Sequence, residues 1–259
     1  MKFIDSHTHL YLQHFDEDRS AVIQRAIGQG VSTMLLPAID MSTFDAMTAL
    51  AVAFPKHCFP MMGLHPTSVN ELVENELTFV ESELSTGKYI AVGEVGIDLY
   101  WNSTFADQQK DAFRRQLRLA KKYQLPVVIH MRDSFSEVYQ VVKEEVTEDL
   151  HGVFHCFTGN EEEGRKIIDL GFYLGIGGVI TFKNSGLEKM VANLPMEYLI
   201  LETDSPYLTP VPFRGKRNES SYIPYIAQKV AEVTNKSLEE IAEITTQNAM
   251  QLFKLTSSR

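Results

Sequence analysis

The chain has 259 residues, of which 44% are apolar, and a formal net charge of -10. This length and composition suit one large α/β domain with a sizeable core. The negative charge argues against broad, nonspecific nucleic-acid binding through a basic surface. No apolar run approaches the ~20 residues that span a bilayer, and an apolar strand beginning at residue 3 leaves no room for a signal peptide. We therefore expect a cytoplasmic protein without membrane contact.

Short apolar runs alternate with longer amphipathic segments along the whole sequence. The runs are continuously apolar, as expected of parallel strands that are buried on both faces. The predicted strands are Lys2–Asp5, Val31–Ala38, Cys58–Leu64, Tyr89–Glu94, Pro126–His130, Gly152–Cys156, Phe172–Ile176 and Tyr198–Glu202.

Eight β/α units in this length predict a (β/α)8 TIM barrel that forms a single domain over residues 1–259. Gly30 and Gly171 stand where helices should end, and Ser237 with Glu240 has the pattern of a capping box. An open doubly wound sheet is the alternative. It is less favoured because no Gly-rich phosphate loop follows any predicted strand.

The first predicted strand runs directly into a His-x-His sequence. Because side chains alternate along a strand, His7 and His9 should point the same way and could coordinate one metal ion. Two solvated surface histidines are the alternative interpretation of this short motif.

The ends of the later strands strengthen the metal interpretation. Five of the eight histidines stand at predicted strand ends, accompanied by acidic residues and one arginine. In a barrel, the carboxyl ends of the strands meet at one rim, where active sites are built. These residues are His7, His9, His65, Glu94, Asp98, His130, Arg132, His155, Glu202 and Asp204.

Four imidazoles and two carboxylates suit a pair of divalent ions, with Glu94 as the natural bridging ligand. Imidazole and carboxylate donors together are compatible with Zn, Mn or Mg. We therefore predict two divalent metal ions as cofactors.

Several separate motifs resemble the TatD family of metal-dependent deoxyribonucleases, within the amidohydrolase-like barrels. They are the Asp5–His9 opening, GLHP at Gly63–Pro66, GEVGID at Gly93–Asp98, IHMR at Ile129–Arg132, HCFTG at His155–Gly159, ETDSPYLTP at Glu202–Pro210 and RGKRNE at Arg214–Glu219. The resemblance implies a divalent-metal-dependent phosphodiesterase acting on DNA, often as an exonuclease from the 3′ end.

Carried over to these positions, the resemblance implies two ligand sets that share Glu94. The first metal would be held by His7, His9, Glu94 and Asp204, and the second by Glu94, His130 and His155. Sister amidohydrolases often use a carboxylated lysine as the bridge, so Glu94 favours the TatD branch over lactonases.

Two metals could supply a hydroxide near neutral pH and neutralise charge on the phosphoryl oxygens. We expect Asp204, besides binding a metal, to orient the attacking water and take its proton. Glu94 and Asp204 are thus the predicted catalytic residues.

Three basic residues are candidates for substrate binding. Arg132 follows His130 by two residues, so its guanidinium could contact phosphate from the same face; a surface ion pair is the alternative. His65 is a candidate donor to a phosphate or leaving group, or else a loop histidine. Arg214 lies in a basic stretch of the long segment after the last strand, where a solvated charge run is the alternative to phosphate contact.

Four other residues near the strand ends have possible supporting roles. Tyr100 and Trp101 could stack on an exposed base or simply pack the rim. Asp98 and Glu202 are expected to orient metal ligands rather than to bind metal themselves.

The preferred function is hydrolysis of DNA, with single strands or 3′ ends as substrate. A metal-dependent hydrolase of a small ester, lactone or phosphoester on the same barrel is the alternative, and a non-catalytic metal or nucleic-acid binding module is a third. We expect a monomer without an obligate protein partner.

Overall fold

The structure is a computed structural model that describes residues 1–101 and 103–255. Strands and helices alternate throughout. The strands are β1 (Phe3–Asp5), β2 (Val31–Pro37), β3 (Cys58–Met61), β4 (Val92–Asp98), β5 (Val127–Arg132), β6 (Gly152–Phe154), β7 (Tyr173–Ile176) and β8 (Leu199–Leu201). The α-helices are α1 (Arg19–Gly28), α2 (Phe44–Ala53), α3 (Val73–Leu84), α4 (Ala106–Tyr123), α5 (Phe135–Glu145), α6 (Glu161–Asp169), α7 (Leu187–Asn193), α8 (Ile223–Thr234) and α9 (Leu238–Leu252).

The strands close into a barrel through two short junctions. Parallel pairing joins β1, β2 and β3 in one run and β4 to β8 in another. The runs meet where Met62 bridges to Val92 and where Thr8 bridges to Ser205. The (β/α)8 barrel is therefore confirmed, and the open doubly wound sheet is wrong, because β8 lies beside β1.

The interior of the barrel is apolar at the amino ends of the strands. Ile4, Leu35 and Ile200 belong to one buried cluster, to which α9 contributes Leu252. Asn248 of α9 donates to the carbonyls of Met196 and Leu199, both 2.8 Å away, at the amino end of β8. Helix α9 therefore closes this end, and the carboxyl ends of the strands stay open.

Several predicted strand boundaries differ from the structure: β3 ends at Met61 instead of Leu64, β4 begins at Val92 instead of Tyr89, and β5 ends at Arg132 instead of His130. β4 continues to Asp98 instead of ending at Glu94, because Gly96 lets the chain approach β5: a Cβ at Gly96 would overlap the carbonyl of His130. β6 ends at Phe154 instead of Cys156, whose φ of 45° is left-handed and interrupts an extended strand.

The predicted helix ends are confirmed. Gly30 and Gly171 follow α1 and α6 with φ of 86° and 84°, which glycine adopts without steric cost. Ser237 accepts from the amide of Glu240 at the start of α9, and the Glu240 side chain completes the capping box.

Within the described residues, we find no helix with the length and apolar character needed to cross a bilayer.

Candidate metal centre

The end of β1 and the segment after β8 bring the first group of ligands together. The His9 amide donates to the Ser205 carbonyl at 2.8 Å, and the Asp204 amide donates to the His7 carbonyl at 2.9 Å. Asp204 has a φ of 54°, an uncommon conformation that Asp tolerates better than most residues. The local backbone thus turns the Asp204 carboxylate towards both imidazoles.

Glu94 is the centre of the cluster, and its two carboxylate oxygens face different groups of imidazoles. Its Oε2 lies 3.1 Å from His7 Nε2 and 3.6 Å from His9 Nε2. The two imidazole nitrogens are 3.2 Å apart, and Asp204 Oδ1 lies 3.7 Å and 3.5 Å from His7 and His9 respectively. These four side chains form the first group.

The second group surrounds Oε1 of Glu94. This oxygen lies 2.6 Å from His155 Nε2, 2.8 Å from His130 Nδ1 and 3.3 Å from His65 Nε2. His130 Nδ1 is 3.3 Å from both other ring nitrogens. His65, which sequence reasoning assigned to substrate, therefore lies as close to Glu94 as some predicted ligands do.

The donor atoms fit divalent ions. Ligands held about 2.0–2.2 Å from one ion are themselves about 3.0–3.5 Å apart in tetrahedral or octahedral geometry. Three combinations of these side chains bring one ligand atom each to within 4.8 Å of one another. They are His7 with His9 and Glu94, His65 with Glu94 and His130, and His7 with His155 and Asp204. The cluster thus matches the donor chemistry of a metal centre, and Glu94 belongs to two of the three groups.

Buried partners fix two of the histidine rings. His130 Nε2 lies 2.9 Å from Asp98 Oδ2, so the carboxylate accepts a hydrogen bond from Nε2–H and leaves the lone pair of Nδ1 available to a cation. The Tyr11 hydroxyl donates to the Pro37 carbonyl at 2.6 Å and lies 2.9 Å from His9 Nδ1. Since that hydroxyl proton is already used, Tyr11 accepts from His9 Nδ1, and His9 Nε2 is free to bind a cation.

A carboxylate also lies behind the third ring, at ion-pair distance but without a hydrogen bond to it. His155 Nδ1 is 3.4 Å from Glu202 Oε1, while its Nε2 faces Glu94. Gly175 leaves room for Glu202, because a Cβ there would overlap the carboxylate. Asp98 and Glu202 thus lie behind the imidazoles of His130 and His155, and their role in orienting metal ligands stays a prediction.

The electrostatics of the cluster keep the carboxylates ionised. Burial raises the pKa of Glu94, but the surrounding imidazoles, led by His155, outweigh it and hold that pKa well below its usual range. Burial likewise raises the pKa of Asp204, and the contact with His9 together with the charges of nearby imidazoles lowers it below normal. Burial lowers the pKa of His7, which favours the neutral imidazole that a metal requires.

The cluster forms the floor of a cavity of about 480 Å³ at the carboxyl rim of the barrel. Arg132, Trp101 and Tyr207 contribute to its wall. Arg214 does not line this cavity: its guanidinium packs 3.8 Å from the centre of the Phe182 ring and donates to the Thr209 carbonyl at 3.3 Å. Arg214 as a phosphate contact stays a prediction without support from this geometry.

Sequence reasoning missed Tyr11 and Tyr207. Tyr11 is two residues beyond His9, so a search for partners of the His-x-His motif could have found it. Tyr207 lies in the ETDSPYLTP motif, but nothing in that motif indicates that its ring is 48% exposed at the cavity.

Comparisons with known proteins agree with this geometry. A family model described as TatD related DNase matches residues 4–254. The metal-dependent hydrolase YabD of Bacillus subtilis is 39% identical over 252 residues, covering 97% of this chain and 98% of its own. The 3′-5′ ssDNA/RNA exonuclease TatD of a Rahnella species is 34% identical over 251 residues, covering 95% of each chain.

Solved structures show the same architecture. The crystal structure of YJJV, a TatD homologue of Escherichia coli K12, superimposes with a TM-score of 0.92 at 30% identity, covering 98% of both chains. The phosphotriesterase homology protein of Escherichia coli shares the fold alone, at 14% identity and a TM-score of 0.72, covering 97% of this chain and 98% of its own. Given a family match from residue 4 to residue 254 and relatives above 30% identity over nearly their full lengths, this chain belongs to the TatD-related DNases, a family of metal-dependent hydrolases.

Proposed function

We propose that this protein hydrolyses phosphodiester bonds of single-stranded DNA, removing nucleotides from the 3′ end. The proposal rests on the position of the Glu94 carboxylate. Its two oxygens face separate groups of imidazoles at 2.6–3.6 Å. Such a carboxylate suits a pair of cations, and paired cations are the usual solution for in-line displacement at phosphorus. The activity named for the Rahnella relative supports the same substrate class.

In this proposal, His7, His9, Glu94 and Asp204 hold one divalent ion, and Glu94, His130 and His155 hold the other. When bound, the ions act as Lewis acids towards the phosphoryl oxygens and lower the pKa of water, so that hydroxide is available near neutral pH. His65 has two possible roles at this site. Its Nε2, 3.3 Å from Glu94 Oε1, suits either a further ligand or a hydrogen bond to phosphate.

Asp204 is the proposed proton acceptor. Its side chain is 16% exposed, whereas those of His7 and Glu94 are 0% and 3% exposed, so the carboxylate borders the cavity and can reach a water there. As the water oxygen bonds to phosphorus, Asp204 takes the proton. The bond to the 3′ oxygen of the preceding nucleotide breaks, and that oxygen leaves with the bonding electrons and takes a proton from solvent. The products are a 5′-mononucleotide and a shortened strand.

Arg132 is the proposed phosphate contact. Its side chain is exposed on the cavity wall, and no carboxylate among the described residues lies within ion-pair distance of it. The guanidinium fork is thus available to two phosphate oxygens.

The test uses a single-stranded oligonucleotide labelled at its 5′ end. With Mg, Mn or Zn, the wild-type protein should produce a ladder of progressively shorter labelled strands, and EDTA should abolish the ladder. Asp204→Asn should lose activity while still binding metal in calorimetry. Because an exonuclease needs an end, a circular single strand should remain intact.

Other outcomes would contradict parts of the proposal. Linearisation of the circle would indicate an endonuclease. An intact oligonucleotide with every metal, together with turnover of a small phosphoester, ester or lactone, would replace DNA by a small substrate. Full activity of metal-loaded Asp204→Asn would remove Asp204 as the proton acceptor.

A further inference from the structure

Two exposed aromatic rings stand at the mouth of the cavity, in the connection between β4 and α4. Tyr100 is 53% exposed and Trp101 is 68% exposed. Trp101 lines the same cavity as Glu94 and the histidines. A tryptophan buries a large apolar area in most proteins, so one left open beside a polar site is available to a ligand with an apolar face.

The guanidinium of Arg132 packs against both rings. Its guanidinium carbon lies 3.8 Å from the centre of the Tyr100 ring and 5.3 Å from the centre of the Trp101 ring. The two rings are 5.0 Å apart and nearly perpendicular, at 86°. Cation–π attraction orients the guanidinium plane and leaves its edge free for an anion. An anion site and an apolar stacking face thus lie side by side.

One buried carboxylate links this aromatic pair to the metal centre. Asp98 Oδ1 accepts from the backbone amides of Tyr100 and Trp101 at 3.0 Å and 3.1 Å. Its Oδ2 accepts from His130 Nε2 at 2.9 Å. Because Asp98 is only 1% exposed, the backbone that carries the two rings and the imidazole beside Glu94 share one fixed anchor. Asp98 therefore fixes the position of the two rings relative to the metal centre.

We infer that Trp101 stacks on a nucleobase of single-stranded DNA next to the scissile phosphate, while Arg132 holds a phosphate of that strand. The inference rests on the proposed function and adds the subsite that selects the substrate. Every base offers a π-face, so stacking of this kind tolerates any sequence. In a duplex, neighbouring base pairs cover those faces, so this subsite selects unpaired ends.

Binding can be followed without catalysis, because Trp101 is the sole tryptophan of the chain. The metal-loaded protein is titrated with a phosphorothioate oligonucleotide that resists hydrolysis, and with an equally long phosphorothioate strand whose residues are abasic. Base-dependent stacking should quench the fluorescence with the first strand and not with the second. Equal quenching by both strands, or binding of the base-bearing strand without quenching, would overturn the inference.

Activity gives a second, independent measurement. Trp101→Leu should raise KM for a base-bearing oligonucleotide by roughly 5- to 150-fold, the range expected for one lost stacking contact. Trp101→Phe should recover most of this loss, since it restores a flat ring. With a strand whose residues are all abasic, both variants should cleave at the same rate as the wild-type protein, because no base is left to stack. Tyr225→Leu is the matched control, because Tyr225 is 43% exposed but does not line the cavity.

The outcomes separate this inference from the proposed function. If wild-type protein cleaves DNA and Trp101→Leu is equally impaired on both strands, the stacking subsite is wrong and the nuclease stands. If wild-type protein cleaves no DNA but its fluorescence is quenched only by bases, the subsite stands and the proposed reaction is wrong.

Discussion

The two ends of the barrel are built from the same eight strands but bury opposite kinds of side chain. The amino end contains apolar residues such as Leu35 and Ile200 and is closed by α9. The carboxyl end buries Glu94 and His7 almost completely. Burying ionisable groups is costly unless they are paired or coordinate a cation.

The amino end of the barrel therefore serves mainly stability, and the carboxyl end serves mainly function. The apolar end lowers the free energy of the folded state through burial, whereas the polar end holds groups in an arrangement that suits a cation. Substitutions at the amino end should therefore change stability and leave the activity of folded molecules intact. Substitutions at the carboxyl end should chiefly change activity and metal binding.

Glu94→Gln should have the largest effect on activity. A neutral amide cannot serve both groups of imidazoles, so kcat/KM on oligonucleotides should fall by more than about 100-fold, since losing even a partner behind a ligand costs about 10- to 100-fold. Metal titration by calorimetry should give fewer bound ions per chain than the wild-type protein. Wild-type activity in this variant would contradict the bridging role.

Metal removal should lower the stability of the protein through the carboxyl end of the barrel. A ligand that binds only the folded state raises its stability. EDTA should therefore lower the Tm of the wild-type protein and have a smaller effect on Glu94→Gln. An equal shift in both proteins would show that the metal binds away from Glu94.

Leu252→Ala tests the opposite end. Leu252 is 2% exposed on α9, and truncation of a buried leucine should lower the free energy of unfolding by about 2–5 kcal/mol. Urea denaturation measures this loss, while kcat/KM per folded molecule should match the wild type. A large loss of activity in folded protein would break the separation between the two ends.

Asp98→Asn should have an intermediate effect at the carboxyl end. The amide oxygen can still accept from the backbone of Tyr100 and Trp101, but the amide nitrogen cannot accept from His130 Nε2. Metal affinity should therefore fall by about 10- to 100-fold. Calorimetry checks this value, and full activity at saturating metal would show that Asp98 acts through His130 positioning alone.

The smallest effect is expected on the outer surface, at Glu145 of α5. Its carboxylate contacts Arg118 at 2.6 Å and Lys121 at 3.0 Å, both on α4. The Arg118 hydrogen bond, assisted by Lys121, outweighs burial and lowers the pKa of Glu145 below 4.5. Since the folded pKa is depressed, the stabilisation is present above pH 4.5 and is lost as the pH falls through the folded value.

Glu145→Gln should thus lower the free energy of unfolding at pH 7 by about 1 kcal/mol, because Arg118 is exposed to screening solvent. The difference from wild type should shrink at acid pH. Glu148→Gln, which removes an exposed carboxylate nearby, is the matched control. A difference that does not change with pH would show that the ion pairs do not stabilise the α4–α5 contact.

The sequence by itself determined the barrel, and it predicted that most of the histidines and several acidic residues would meet at one rim. Continuous apolar runs at regular spacing predicted every strand, because strands buried on both faces must be apolar throughout. The histidines and acids at the ends of those runs were predicted to converge, because parallel strands of a barrel end at one rim. Glu94 was predicted as the bridge from its position alone.

Only the tertiary structure decided how the side chains pair. It brought His65 to 3.3 Å from Glu94, aligned Tyr11 behind His9, and turned Arg214 onto Phe182 and away from the cavity. These contacts depend on the directions of side chains in loops, which periodicity does not encode. The link from Trp101 through Asp98 to His130 joins neighbouring strands and likewise arises only when β4 and β5 lie side by side.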